Sequence, residues 1–215
     1  MQIFTDGACA GNGRAAARAS FAAVVLGPHG RAAVVRGPVQ PFQYRLAGLE
    51  LGVTAAPVAP SNNRGELLGI VHALLIVLTT AEAAGGVPPV EIVSDSLLCI
   101  RTLDEWLPAR RAKGTAHELK NMDLVEIAEA LLARARALVP VSLTHVRSHR
   151  AAPAPGTPAH ATWAGNDLAD RQAALAGDTV ERLDILISIE ACGLLASGSG
   201  RAAPDTIALG ANKKC

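Results

Sequence analysis

The chain has 215 residues, half of them apolar but only three Phe, two Trp and one Tyr, so its core must be built from Val, Leu, Ile and Ala. That length suits one domain of ordinary size, with room for a tail. A net charge of +1 excludes a strong overall field toward nucleic acid or membrane, so any polyanion contact has to be local or arranged through metal ions. The four cysteines, Cys9, Cys99, Cys192 and Cys215, are scattered without zinc spacing. With no signal peptide at the start, they read as reduced thiols of a soluble intracellular protein. The longest apolar run, Ile70 to Leu78, is broken by His72 and falls short of a membrane span, so no membrane partner is expected.

The chain opens MQIFTDGACAGNG, a short apolar run, Ile3-Phe4, that breaks into Asp6-Gly7 and a glycine-rich turn. A buried strand that ends in a carboxylate and then turns can hold that carboxylate rigidly at the edge of a sheet. Asp-Gly is equally an ordinary turn signal. Ala19 to Leu26 and Arg31 to Arg36 are runs of β-branched and small apolar residues around Gly27-Pro28-His29-Gly30. The first three strands are therefore expected to form an antiparallel meander. Residues 37 to 60, broken by Pro and Gly, read as a loop with space for one more short strand.

Ser61-Asn62-Asn63-Arg64-Gly65-Glu66 opens a helix. Ser and Asn are good N-caps, and Leu67, Leu68, Val71, Leu74, Leu75 and Leu78 follow helical spacing. Glu66 is then a first-turn acid, which the helix dipole alone would favour. After Gly85-Gly86-Val87-Pro88-Pro89, Val90 to Ser94 is a compact strand ending in Asp95-Ser96, with an apolar run from Leu97 to Leu107 behind it. In open α/β sheets sites gather at such strand ends, though capping the next helix is the plainer role for Asp95. Arg110-Arg111-Ala112-Lys113, the densest basic cluster, reads as a solvated helix end, with phosphate contact as the alternative. Leu124, Ile127, Leu131, Leu132, Ala135 and Leu138 mark a surface helix packed on a sheet. Val141 to Val146 is the next strand and leads to Arg147-Ser148-His149-Arg150. Residues 151 to 163 are expected as a mobile loop, and Gly165-Asn166-Asp167-Leu168-Ala169-Asp170-Arg171 as the start of a helix running to about Ala176. The alternation of Leu183, Ile185, Ile187 and Ile189 fits either an extra strand or a short helix. From Ala196 on, the composition is that of a flexible tail.

The order is strand with Asp6, hairpin, helix with Glu66, strand with Asp95, helices, strand leading to His149, and helix with Asp170. With the motifs TDGACAGNG, SNNRGEL, VSDS, HVRSH and GNDLADRQA, it resembles the ribonuclease H family, specifically its type 1 enzymes. Trp106 and Lys120-Asn121-Met122-Asp123-Leu124 also fall where that family has similar residues. Each motif is unspecific alone, but all of them in order with compatible spacing, over roughly residues 1 to 177, are specific.

The resemblance implies an α/β ribonuclease H-like fold, a mixed five-stranded sheet flanked by helices. A catalytic domain would occupy residues 1–180 and a partly flexible C-terminal extension residues 181–215. It implies an endonuclease that hydrolyses the RNA strand of RNA–DNA hybrids and leaves 5′-phosphate and 3′-hydroxyl ends. By motif position, Asp6, Glu66, Asp95 and Asp170 would be the metal-binding carboxylates. His149 would take the place of the histidine that assists proton transfer or product release. Gly7, Asn12, Asn62, Asn63, Ser96 and Asn166 fall in the substrate-contacting motifs. Asn12, Asn62 and Asn63 lie where the family reads the RNA strand through 2′-hydroxyl and base-edge contacts in the minor groove. As purely local structure, Asn12 supports a turn and Asn62 or Asn63 caps a helix. Ser96 either contacts substrate or caps, and Asn166 holds the loop before Asp170.

The residue types suit that chemistry. Attack of water on a phosphodiester needs a nucleophile generated at neutral pH and a stabilised leaving 3′-oxygen, and two Mg²⁺ ions roughly 4 Å apart can do both. Mg²⁺ prefers oxygen ligands, so a carboxylate cluster without thiolate is the right set, with Mn²⁺ as the alternative ion. Four acids crowded together would repel without cations, so a metal-dependent site is expected. The partner is the hybrid, and the chain is expected to be a monomer.

Several positions depart from the family pattern. The turn after Asp6 lacks a proline, Leu97 stands where a polar reader is usual, and the basic protrusion is reduced to Arg110, Arg111 and Lys113. The stretch between His149 and Asn166 is longer than usual, no separate hybrid-binding domain is recognisable, and the tail after about residue 180 lies outside the resemblance. Two alternatives stand beside the hydrolase. One is a relative on the same fold acting on other nucleic acids, as in recombination or transposition. The other is a catalytically weak or silent nucleic-acid-binding domain, whose signature would be loss of one of the acids.

Overall fold

The computed structural model describes residues 1–27, 30–40, 43–46, 49–52, 59–84 and 87–186. In chain order the strands are β1 (Gln2–Ala10), β2 (Arg18–Leu26), β3 (Arg31–Pro38), the short pair β4 (Gln43–Leu46) and β5 (Leu49–Gly52), then β6 (Val90–Ser94), β7 (Val141–His145) and β8 (Glu181–Leu186). The helices are α1 (Asn62–Ala84), α2 (Leu97–Arg101), α3 (Leu107–Ala112), α4 (Met122–Leu138) and α5 (Pro158–Ala174). One mixed sheet runs β7-β6-β1-β2-β3-β8, and β4 and β5 form a hairpin of their own. β1 to β3 make the expected antiparallel meander, while β6 is parallel to β1 and β7 parallel to β6.

This sheet has six strands, where the motif order implies five, because Glu181–Leu186 adds antiparallel to β3. Leu183 and Ile185 pack against the core beneath the sheet. Arg36 of β3 fastens the edge by an ion pair to Glu181 at 2.9 Å and a hydrogen bond to Gln172 Oε1 at 2.8 Å. Between the two readings left open for this alternation, the strand is the one observed, with Leu183 and Ile185 half-buried on its inner side. Ile187, Ile189 and the tail from Ala196 lie outside the described residues.

β1 lies inside the sheet with helices on both faces, and its side chains alternate between two cores. Ile3 faces α1 and α4 together with Phe21 and Ala23, while Phe4 faces α5 with Val24, Val34, Leu168 and Ala169. α1 is therefore buried on almost every side from Arg64 to Leu74, rather than along one stripe. Its 23 residues carry an 18-residue window of mean hydropathy 2.0, long and apolar enough to cross a membrane. This corrects the count made on unbroken apolar runs, since the helix tolerates His72 within its length. His72 is buried, stacked on Phe21 at 4.0 Å, and burial lowers its pKa to about 4. The sheet on one side and α4 on the other account for the apolarity of α1.

α4 rests chiefly on α1, not directly on the sheet as its periodicity suggests, and its last leucine, Leu138, is left exposed. The two helix starts are tied by Arg64, whose guanidinium is buried and meets both carboxylate oxygens of Asp123 at 2.9 and 2.6 Å. A bidentate pair of this kind fixes register as well as distance. The hydrogen bonds from Arg64 hold the Asp123 carboxyl below its usual range. Its contribution to stability is thus present at neutral pH and fades as pH falls through that lowered pKa. Asp123→Ala, which strands a buried guanidinium, is expected to cost about 2 kcal/mol, discounted for the partial exposure of the carboxylate. Urea unfolding at pH 7 checks this, and the difference between variant and parent should shrink by pH 3.

Candidate metal centre

Register and close packing together build the site. β6 ends at Ser94, which pairs with Thr5 of the parallel β1, so Asp95 emerges beside Asp6. On one face of β1, the start of α1 comes down onto Gly7. A Cβ on Gly7 would stand 2.2 Å from the backbone nitrogen of Glu66, and one on Gly65 would stand 2.3 Å from the carbonyl oxygen of Ser20. Two residues without side chains are what let helix backbone touch strand backbone, and Glu66 follows immediately. On the other face, a Cβ on Gly165 would lie 2.4 Å from the ring of Phe4. That contact seats α5 so that the charge of Asp170 acts on the Asp6 carboxyl and helps to raise its pKa, while Asp170 itself stands outside the close group of Asp6, Glu66 and Asp95.

Asp6, Glu66 and Asp95 each place a carboxylate oxygen within 4.8 Å of the other two, and Asp6 and Glu66 are buried. Burial pushes the pKa of Asp6 up to about 8, with the charge of Asp95 adding to it. Burial likewise takes Glu66 to about 10, helped by Asp6 and Asp95. Arg64, the buried arginine nearby in sequence, is committed to Asp123 and does not neutralise the group. Glu66 Oε2 is buried without a hydrogen-bond donor, while its Oε1 accepts from Asn62 Nδ2 at 3.5 Å. Acids crowded away from water with an orphaned oxygen among them suit a hard divalent cation. The neighbouring thiol does not compete: burial pushes Cys99 up to about 12, so it stays protonated.

Glu66 lies one turn inside α1, behind Asn62, and not in the first turn; its raised pKa is the opposite of what a dipole partner would show. Nor does Asp95 cap α2. That role falls to Ser96, whose hydroxyl accepts from Cys99 N at 3.4 Å. Leu97 and Leu98 present exposed apolar surface directly after it. Asn12 is exposed in the turn between β1 and β2, flanked by Gly11 and Gly13, both with positive φ. Asn62 is exposed and Asn63 half-buried at the start of α1. Asp167 lines the cleft beside Asp170 and pairs with Arg171 at 2.8 Å, one turn further along α5. The basic residues Arg110 and Arg111 are engaged by Glu118 and Glu129, which favours the solvated helix end over a phosphate grip.

His149 is not in the acid cluster. It is exposed on the segment after β7 with φ 54°, and lines a cleft of about 510 Å³ with Asn166 and Asp170. Asn166 is buried, and its Oδ1 has no hydrogen-bond partner among the described residues. Residues 158–163, expected as loop, are the first turns of α5. Thr157 is its N-cap, accepting from His160 N at 3.1 Å, and Pro158 sits in the first turn. Thr-Pro is a helix-start signal in its own right. The later Gly165-Asn166-Asp167 drew the boundary inward because a glycine followed by Asn and Asp also looks like one. The pairing of Gly7 with Gly65 has no local sequence signal, since it depends on partners distant along the chain.

The RNase H family profile matches residues 1–177. A ribonuclease H of Anaeromyxobacter dehalogenans is 37% identical over 127 residues, covering 57% of this chain and 62% of that protein. The chain thus spans about three fifths of the length of the first relatives it matches. A ribonuclease H from a Cyanothece species is 32% identical over 152 residues, covering 69% of this chain and 77% of that protein. Among solved structures, LC9-RNase H1, described as a type 1 RNase H with the type 2 active-site motif, superposes with a TM-score of 0.52 at 20% identity, covering 86% of this chain and 76% of that one. That last likeness is one of fold.

Proposed function

The chain belongs to the ribonuclease H family, and from that premise we propose that it is an endonuclease hydrolysing the RNA strand of RNA–DNA hybrids to 5′-phosphate and 3′-hydroxyl ends. The observation that carries this reading is the convergence of buried Asp6 and Glu66 and half-buried Asp95 from three separate parts of the chain into one close group, with Asp170 near enough for its charge to raise the pKa of Asp6. A structural role would not assemble buried like charges at such cost. Asp6, Glu66, Asp95 and Asp170 would hold two Mg²⁺ ions, or Mn²⁺ in their place. Bound there, the ions would supply a nucleophilic water at neutral pH and offset charge on the leaving 3′-oxygen.

The other roles belong to the chain's own side chains. The His149 imidazole carries a proton at the reacting phosphodiester, whose P–O3′ bond breaks as the new P–O bond from water forms. Asn12, Asn62 and Asn63, with the Gly7 backbone and Ser96, face the RNA strand, where 2′-hydroxyl contacts distinguish it from DNA. Asn166 does not hold a loop before Asp170, since both lie inside α5; one turn ahead of Asp170 and lining the same cleft, it would contact substrate there. Residues 1–180 form the catalytic unit, and residues 181–215 are an extension whose first strand, β8, is fastened to β3. The free thiols of Cys9 and Cys99 suit a reducing interior.

The test is cleavage of a labelled hybrid in Mg²⁺ and in Mn²⁺, beside single-stranded RNA, duplex RNA and duplex DNA. Cleavage confined to the hybrid supports the proposal. A chain that binds hybrid yet leaves it intact with both ions would be a silent domain on this fold.

A further inference from the structure

Trp163 lies in the part of α5 that precedes Gly165 and Asn166. Its indole Nε1–H donates to the carbonyl oxygen of Arg150 at 3.0 Å. The indole is itself held against the buried His160 ring, with 5.6 Å between centroids. Further along the loop, the Thr157 hydroxyl donates to the Ala154 carbonyl at 2.8 Å and caps the helix. Two bonds thus hold the segment between β7 and α5, one from Trp163 of α5 and one within the segment from Thr157, the helix cap. His149 stands next to the first of them, at φ 54°. A residue other than glycine keeps that conformation only where its surroundings over-determine it.

Trp163, Asn166 and Asp170 follow one another at i, i+3 and i+7, on one face of α5, and all three line the cleft with His149. One helix therefore carries both Asp170 and the donor that fixes the loop. We infer that Trp163 is a positioning residue: by its hydrogen bond to the Arg150 carbonyl it holds the imidazole of His149 at a set place relative to Asp170. The inference rests on the hydrolase reading above.

Trp163→Phe deletes the donor and keeps a ring against His160. It is expected to lower kcat about tenfold, the scale of a modest misplacement of a reacting group, with little change in KM. Its thermal midpoint should match that of the parent. His149→Ala is expected to lower kcat about 10²-fold, the low end for a positioned proton carrier, and adding Trp163→Phe to it should change nothing further. Hydrogen exchange of residues 147–151 should speed up in Trp163→Phe. Equal losses with and without His149, a parental kcat, or unchanged exchange would each overturn the inference. If the parent cleaves hybrid and Asp6→Asn does not, such a result leaves the hydrolase reading standing and removes only the role of Trp163. If the parent is inert, the hydrolase reading fails and the positioning role with it, whatever the exchange shows.

Discussion

Asp6→Asn is expected to lower the rate of hybrid hydrolysis by about 10³-fold while making the metal-free protein more stable. The rate loss follows from removing a shared ligand at the centre of the group: several kcal/mol of charge stabilisation depend on the ions it would help hold, and each 1.36 kcal/mol is about tenfold in rate. The gain in stability follows from the raised pKa values, about 8 for Asp6 and about 10 for Glu66. Both acids hold protons in the folded chain at pH values where the unfolded chain has lost them. Stability without divalent ions therefore falls as pH rises from about 4 toward 8 and beyond, the folded state being the one that binds more protons.

Asn removes one of these penalties and relieves Glu66 of a charged neighbour. At pH 7 to 8 and without metal, the variant should melt a few degrees higher, about 2–4 °C for each kcal/mol recovered in a domain of this size. Adding Mg²⁺ should reverse the order, raising the midpoint of the parent and barely moving that of the variant, and binding to the parent should release protons. Melting curves with and without Mg²⁺ across pH 5 to 9 measure all of this. A variant less stable than the parent at pH 8 without metal would mean that the acids are not the strained group described.

Gly65→Ala should, like Gly7→Ala, be strongly damaging although the residue has no side chain to lose. Its new Cβ would stand 2.3 Å from Ser20 O and 3.0 Å from Gly7 Cα. Both are backbone atoms, so neither can rotate away, and α1 must lift from the sheet. Overpacking of this kind costs about 3 kcal/mol or more, which corresponds to a midpoint lowered by about 6–12 °C. The larger consequence is catalytic, because lifting the helix start moves Glu66 away from Asp6 and Asp95, so hydrolysis should fall with stability. Gly114→Ala is the contrast. Gly114 has φ +70° but open space around the added methyl, so it should cost only about 1 kcal/mol of backbone strain and leave hydrolysis intact. Thermal midpoints and cleavage rates of the two variants separate close approach from conformational strain. Equal, small effects for both would remove the packing account of Glu66 placement.

The residues of the site were legible because each acid is marked by what surrounds it locally. Asp95 leaves an apolar strand, Glu66 follows Ser-Asn-Asn, and Asp170 lies in a helix with Asn166 ahead of it; Asp6 lies in an apolar strand but not at its end, because β1 runs on past the Asp-Gly signal to Ala10, paired with β2. Strand period and helix period are properties of neighbouring residues, so the meander, α1, β6 and β7 could be placed from the chain alone. The start of α5 was misjudged because two adjacent stretches, Thr157-Pro158 and Gly165-Asn166-Asp167, carry the same kind of start signal. The Thr157 cap starts the helix at Pro158, and the close approach of Gly165 to the Phe4 ring gives that glycine a packing role inside it.

What the chain cannot express locally is any relation between distant residues. That Gly7 and Gly65 are there for each other, that Arg64 belongs to Asp123, and that β8 closes on β3 through Arg36 all depend on which elements become neighbours. The same holds for the charge state of the acids. An Asp or Glu in the sequence has an ordinary pKa, and only the loss of water around Asp6 and Glu66, with like charges brought within reach, lifts them to about 8 and about 10. Residue type and spacing determined which groups could act; burial and close packing of backbone on backbone decided that they stand together.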